Sequence, residues 1–232
     1  MGVRFAALTL AIMTFALAAG CANQGPTRNY QGTATAGTDE DFDDAAVGTV
    51  PSGWTAMDGT WDVVANSTAP SLPNAMMQSG GGDGVYPMLM KTDAGTFGNF
   101  EASLKFNLLG GAGEKTGGLA FRMSAGKYYA IDYDVDEMSW SLYRFANSQM
   151  TKVAGLDGVP THDIHRWISL TVHAEGAHIT AYDVTSGNVK VLDFTENDAS
   201  APMVGELGFW VKNDAAVLFD SFEAEPLSAA GA

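Results

Sequence analysis

Asp132, Asp134 and Glu137 stand in the run Asp-Tyr-Asp-Val-Asp-Glu, two and then three residues apart. Residues two apart on an extended strand share a face. Two carboxylates held about 5 Å apart can cleave a glycosidic bond, one as nucleophile and the other as acid/base. Asp132, Asp134 and Asp136 could instead offer oxygens to calcium. However, the sixth place of such a loop is Glu137 rather than Gly, and the twelfth is Tyr143 rather than an acid. The run also falls where a hairpin turn is expected, a common setting for solvated acids.

A second set of residues points to binding rather than bond cleavage. Alternation over Gly118–Met123 sends Leu119, Phe121 and Met123 inward and Gly118, Ala120 and Arg122 outward. Over Glu206–Lys212 it sends Leu207, Phe209 and Val211 inward, leaving Glu206, Gly208, Trp210 and Lys212 outward. Gly and Ala are poor solvent-face residues on a strand unless something approaches the sheet closely. Arg122, Trp210 and Lys212 beside them, with Tyr128 and Asp132 on the next strand, make a candidate ligand groove. A flat aromatic ring flanked by charged donors suits a sugar. The competing expectation is that Arg122 pairs with Asp132 and Trp210 packs under a loop.

Two metal possibilities remain. Should the first and last strands of the chain's β-rich region pair, Asp43 or Asp44 would lie near Asp220. Such carboxylates with backbone carbonyls suit a structural Ca²⁺, and solvated acids at strand ends are the alternative. His162-x-x-His165 lacks an evident third ligand, so surface histidines are expected there. The chain has no Gly-x-Ser-x-Gly elbow, phosphate loop or dinucleotide fingerprint.

The elements that must position these residues are almost entirely strands. Phe100, Ala102, Leu104, Phe106 and Leu108 alternate with Glu101, Ser103, Lys105 and Asn107, the pattern of a half-buried strand. Comparable runs are Trp61–Ala65, Pro87–Lys91, Gly118–Ser124, Tyr128–Asp134, Ser139–Phe145, Trp167–Ala174, Ile179–Val184, Val189–Phe194, Glu206–Lys212 and Val217–Glu223. Ala125-Gly126, Asp157-Gly158, Glu175-Gly176 and Ser186-Gly187 supply turns between them. No internal repeat of 20–50 residues appears, which argues against a propeller or solenoid. The expectation is an all-β, two-sheet antiparallel sandwich spanning residues 41–226, with a frayed tail at 227–232.

The 232 residues carry 27 acids and 12 Lys and Arg, a net charge of −15. Such a surface repels phosphate, which excludes nucleic acid as an expected partner. One Cys excludes an intrachain disulfide and a thiolate metal cluster. That Cys21 follows Arg4, the apolar run from Phe5 to Leu17, and Ala18-Ala19-Gly20. This order reads as a signal peptide over residues 1–20 and resembles that of bacterial lipoproteins. The resemblance implies acylation of Cys21 and attachment to a membrane. Ala22 in the second mature place implies the outer membrane, with the domain periplasmic or surface-exposed. Residues 21–40 are small and polar and read as a flexible tether reaching about 25 Å.

Other features come in a recognisable order: Phe42-Asp-Asp, Gly48-Thr-Val-Pro-Ser-Gly-Trp54, Trp61-Asp-Val, Phe97-Gly-Asn-Phe-Glu101, Gly117-Gly-Leu-Ala-Phe-Arg122, Tyr128-Tyr-Ala-Ile-Asp132, Trp167, Gly205-Glu-Leu-Gly-Phe-Trp-Val-Lys212 and Phe219-Asp220. They resemble the concanavalin A-like lectin/glucanase jelly roll, especially its laminin-G-like and 3-keto-disaccharide hydrolase-like domains. The spacing of Asp132, Asp134 and Glu137 resembles the catalytic Glu-x-Asp-x-x-Glu of glycoside hydrolase family 16, which shares that fold. The expected function is therefore non-catalytic glycan binding by a lipid-anchored monomer. A glycoside hydrolase using the three acids, and an adhesion module binding protein, are the rivals.

Overall fold

The computed structural model describes residues 28–80, 86–111, 113–159 and 161–228. The expected signal peptide and Cys21 lie outside the described residues. Fifteen strands are described: β1 (Thr38–Glu40), β2 (Trp54–Asp58), β3 (Thr60–Ala65), β4 (Asn74–Gly80), β5 (Met88–Lys91), β6 (Phe100–Gly110), β7 (Thr116–Ser124) and β8 (Lys127–Asp134) come first. They are followed by β9 (Ser139–Ala146), β10 (Gln149–Asp157), β11 (Trp167–Glu175), β12 (His178–Asp183), β13 (Val189–Thr195), β14 (Glu206–Trp210) and β15 (Ala216–Pro226). They form two sheets, with every pairing antiparallel. The eight-stranded sheet runs β13-β12-β11-β6-β15-β4-β3, with β1 added to β15, and the seven-stranded sheet runs β10-β9-β8-β7-β14-β5-β2. This is the expected jelly-roll sandwich.

The core between the sheets is built from the inward half of each alternation. Phe100, Ala102, Leu104, Phe106 and Leu108 of β6 face Leu119, Phe121, Tyr129, Ile131, Trp140 and Leu142 of the other sheet. Phe209 of β14 stacks on Phe219 of β15, with ring centres 4.4 Å apart, and Trp54, Phe42 and Phe222 close around that pair. Each such aromatic burial stabilises by roughly 1.5–3 kcal/mol, which ties the first and last strands of the domain together.

The segment before the domain differs from its expectation as a tether. Arg28 already donates to the carbonyls of Glu196 and Asn197, at 3.3 and 3.2 Å. Tyr30 and Ala34 pack against the core, and residues 38–40 are a strand paired with β15. Residues 28–40 are therefore part of the sandwich. Their composition hid this because the partners of Arg28, Thr33 and Glu40 lie far along the chain, at Glu196, Thr96 and Trp54.

Candidate functional site

Register alone determines which residues share the outer face of the seven-stranded sheet. Trp210 lies opposite Gly118, Gly118 opposite Asp132, Asp132 opposite Ser141 and Ser141 opposite Gly155. The adjacent outward row is Met90, Gly208, Ala120, Ala130, Tyr143 and Lys152. A further row is Tyr128, Phe145 and Met150. Met88, Met90, Ala120, Tyr128, Ala130 and Trp210 form a buried apolar cluster of their own, separate from the core between the sheets. Tyr86, Met123, Tyr143, Phe145 and Met150 pack over it.

Trp210 thus occupies the expected face, but as an enclosed ring. Tyr86 stacks on it at 5.8 Å and Tyr143 leans on it at 5.9 Å. Beside this stack a groove of about 460 Å³ opens between Tyr86, Tyr128 and Phe145, with Met88, Met123 and Met150 in its walls. Tyr128 stacks on Phe145 at 4.9 Å, and burial pushes its hydroxyl up to about 12. Asp58 and Ser148 bring polar atoms to the groove edge. Sequence reasoning found Tyr128 and Trp210 but missed Tyr86, Phe145 and Met150. Phe145 and Met150 are cross-strand partners, and the strand carrying Met150 has no apolar alternation by which to recognise it.

Arg122 does not belong to this face. The register of β7 against β8 slips between Phe121 and Ser124, and Arg122 has a φ of 54°. That irregularity turns Arg122 inward and sends Met123 outward to the groove, the reverse of the simple alternation. The guanidinium is fully buried and donates to the carbonyls of Gly98, at 2.9 Å, and Gly176, at 2.8 Å. Burial lowers its pKa to about 10, with Tyr129 and Tyr30 opposing the shift. It is a clamp between β7 and the loops around β6 and β11. No Arg122–Asp132 pair forms.

Asp132 is on the outer face, 1% exposed, and neither carboxylate oxygen has a hydrogen-bond partner. Burial pushes its pKa well above the ordinary aspartate value, while nearby Lys212 pulls the other way. Lys212 itself pairs with Glu114 and lies over the Tyr143 ring at 5.6 Å. Burial would lower Lys212, but Glu114, Tyr143 and Asp132 outweigh it and raise its pKa. The glycines on this face have a simpler cause than ligand approach. A Cβ on Gly118 would lie 2.0 Å from the Ile131 carbonyl oxygen, and one on Gly208 2.1 Å from that of Leu89.

The three acids of the sequence motif do not converge. Asp134 accepts backbone N–H bonds from Asp136 and Glu137, at 2.8 and 3.1 Å, and so caps the β8–β9 turn. Glu137 is exposed in that turn, where its carboxylate accepts from Ser139. Asp132 and Asp134 are both buried on the outer face of β8, but Asp134 is tied to the turn and Glu137 is outside.

The ends of the domain do meet, as expected. Ser71 joins Asp43 and Asp220, donating through its hydroxyl to Asp43 at 2.5 Å and through its N–H to Asp220 at 2.8 Å. Asp220 also accepts from the Ser221 N–H at 2.6 Å. Burial raises Asp220 to about 6 against these two donors, with Asp43 adding to the rise. Asp44 is exposed and stays outside the cluster. Among the described residues, no three His, Cys, Asp or Glu are grouped to hold a metal ion.

His162 departs from its expectation as a surface residue. It is buried, and its Nε2 lies 2.5 Å from Asp183. Ser186 donates to the same Asp183 oxygen at 2.8 Å. Serine and histidine therefore share one carboxylate oxygen, and the imidazole nitrogen nearest the serine is already engaged. That is a structural knot rather than an activated nucleophile.

Neither a family profile nor a curated sequence matches the chain. Solved structures do. The carbohydrate binding module CBM66 from Bacillus subtilis superposes with a TM-score of 0.58 and 21% identity, covering 75% of this chain and 95% of the other. Cellulose induced protein Cip1 gives 0.59 and 16%, covering 84% and 100%. The GH43 protein BlXynB from Bacillus licheniformis gives 0.56 and 12%, and the chain spans only 39% of its length. The exoplasmic/lumenal domain of VIP36, in its Ca²⁺/Man3GlcNAc-bound form, gives 0.51 and 13%, covering 74% and 86%. At these identities the likeness is one of fold.

Proposed function

We propose that this protein binds a saccharide, without turnover, in the groove on the outer face of its seven-stranded sheet. The observation carrying this proposal is the aromatic groove itself: Tyr86, Tyr128 and Phe145 around an opening of about 460 Å³, on a sheet face that no further layer of the described residues covers. Flat rings take the apolar faces of sugar rings, and Asp58 and Ser148 at the edge can exchange hydrogen bonds with hydroxyls. The shared fold of a carbohydrate binding module and of the Man3GlcNAc-bound VIP36 domain supports the same choice. Binding is favoured over hydrolysis because Asp134, the carboxylate beside Asp132, is engaged by two N–H groups of the β8–β9 turn and Glu137 is exposed in that turn.

The groove belongs, in this proposal, to a lipoprotein. Acylation of Cys21 would hold the sandwich at the outer membrane of a bacterial envelope, within reach of envelope or extracellular glycans. Metabolic labelling with a fatty-acid probe should mark the wild type and not Cys21→Ala; equal labelling would remove the anchor. For the groove, a glycan array read for both binding and cleavage should return bound saccharides and no shortened products. Released product that disappears in Asp132→Asn would replace the binding proposal with catalysis.

A further inference from the structure

A second cavity, of about 670 Å³, lies on the other side of the sandwich, between the loop before β11, the β12–β13 turn and the β3–β4 loop. Its size falls within the ~300–1,000 Å³ of small-molecule sites. Trp167, the first residue of β11, forms part of its wall, and its buried indole N–H, without a partner among the described residues, is a local reporter of what enters.

The chemistry of this wall runs against that of the whole chain. Acids outnumber Lys and Arg by 27 to 12 in the sequence, yet Asp163 is the one carboxylate lining the cavity. Facing it are the exposed Arg166, which forms no ion pair among the described residues, and His165. Thr185 also lines the cavity, and its oxygen accepts from the Ser169 N–H at 2.7 Å, which leaves the hydroxyl proton free to donate. The back of the cavity is held in place: His162 is tied to Asp183, and its backbone N–H bonds the Tyr133 hydroxyl at 3.1 Å.

We infer that this cavity is a second ligand site, for the carboxylate-bearing ring of an acidic saccharide. The guanidinium of Arg166 would take the carboxylate, a pairing that charge-assisted hydrogen bonding favours, with the Trp167 ring beside it in the wall. Asp163 and Thr185 would take ring hydroxyls. Trp167 and Trp210 lie on opposite sheets, so this site is separate from the groove and does not depend on it.

Titration with trigalacturonate, followed at the Trp167 indole N–H resonance by NMR, tests the inference. Trp167→Phe assigns that resonance. The expected result is saturable movement in the full-length wild type, at least tenfold weaker in Arg166→Ala and unchanged in Trp210→Phe. The methyl-esterified trimer, which lacks the charge, should bind at least tenfold more weakly. An unmoved Trp167 resonance overturns the inference even if groove resonances shift. So does equal binding by Arg166→Ala or by the methyl ester.

Discussion

Along most of β6 and β11 the outward residues, Glu101, Ser103 and Lys105, and Ser169, Thr171 and His173, are at least partly open to solvent; the buried residues on that face include Asn107 and a small cluster around Ala69, Ala75 and Leu218. Those of β7 and β8 are Gly118 and Ala120, and Tyr128, Ala130 and Asp132; all are buried. Both sets alternate, and both lie on the outside of the sandwich. The difference is that the seven-stranded sheet carries Tyr86, Tyr143 and Phe145, which fold down over their own neighbours. An apolar cluster on an uncovered face stabilises nothing across the two sheets. It does supply a rigid aromatic floor for a ligand.

A matched pair of substitutions would break or sharpen this contrast most strongly. Ala130→Lys forces a charge into the buried outer cluster and should destabilise by more than about 3 kcal/mol. Thr171→Lys, on the opposite outer face, should stay within about 0.5 kcal/mol. Urea unfolding of both variants decides, and equal midpoints would mean the two faces do not differ as described. Arg122→Ala belongs with the first: it leaves two carbonyls unpaired and should cost about 3 kcal/mol, with saccharide affinity unchanged.

Two buried carboxylates extend the comparison, one on each sheet. Asp220 has two N–H donors and rises to about 6, whereas Asp132 has none and is driven well above its ordinary value chiefly by burial. A carboxyl whose folded pKa exceeds its unfolded one binds more protons when folded, so its contribution to stability falls as pH rises through that window. Asp132→Asn should therefore gain on the wild type as pH rises from 4 to 8, reaching about 1 kcal/mol or roughly 2–4 °C in Tm. Asp220→Asn should show the same upward trend between pH 4 and 7, but starting from a loss of about 1 kcal/mol at pH 4, because an amide accepts only one of the two N–H groups well. Thermal melts across that range check both signs; parallel curves for Asp132→Asn and wild type would show that Asp132 is not penalised.

Smaller effects are expected at the groove rim and at the joined termini. Tyr86→Ala and Phe145→Ala should each weaken saccharide binding by about 1 kcal/mol and change unfolding by less, since both rings are only partly buried. A calorimetric isotherm beside a melting curve separates the two. Calcium at Asp43 and Asp220 would have to displace the Ser71 and Ser221 donors. Millimolar Ca²⁺ is therefore expected to leave Tm unmoved, and a rise abolished by Asp43→Asn would show a metal there after all.

The sequence disclosed the sandwich because period-two alternation survives in most strands, and β6 shows it over its first nine residues. It disclosed the face of Trp210 for the same reason. It placed Arg122 wrongly because Leu-Ala-Phe-Arg-Met reads as unbroken alternation, while the fold inserts a register slip there. A bulge depends on the partner strand, so one strand's pattern does not reveal it. Trp61–Ala65 was legible, but its partner β4 was not, because Asn-Ala-Met-Met-Gln-Ser-Gly buries residues on both faces. The groove stayed half hidden because Tyr86 precedes a strand and Met150 begins one with an almost wholly solvent-facing pattern.

The most direct measurement of the central claim is the indole N–H resonance of Trp210, assigned through Trp210→Phe and followed while an array-positive neutral saccharide is added. A ligand seated against Tyr86, Tyr128 and Phe145 should shift that resonance and the ring signals of Tyr128 and Phe145 along one saturation curve, weakened by Tyr86→Ala. A saccharide that binds with the same affinity measured calorimetrically, yet leaves Trp210, Tyr128 and Phe145 unmoved, would contradict it.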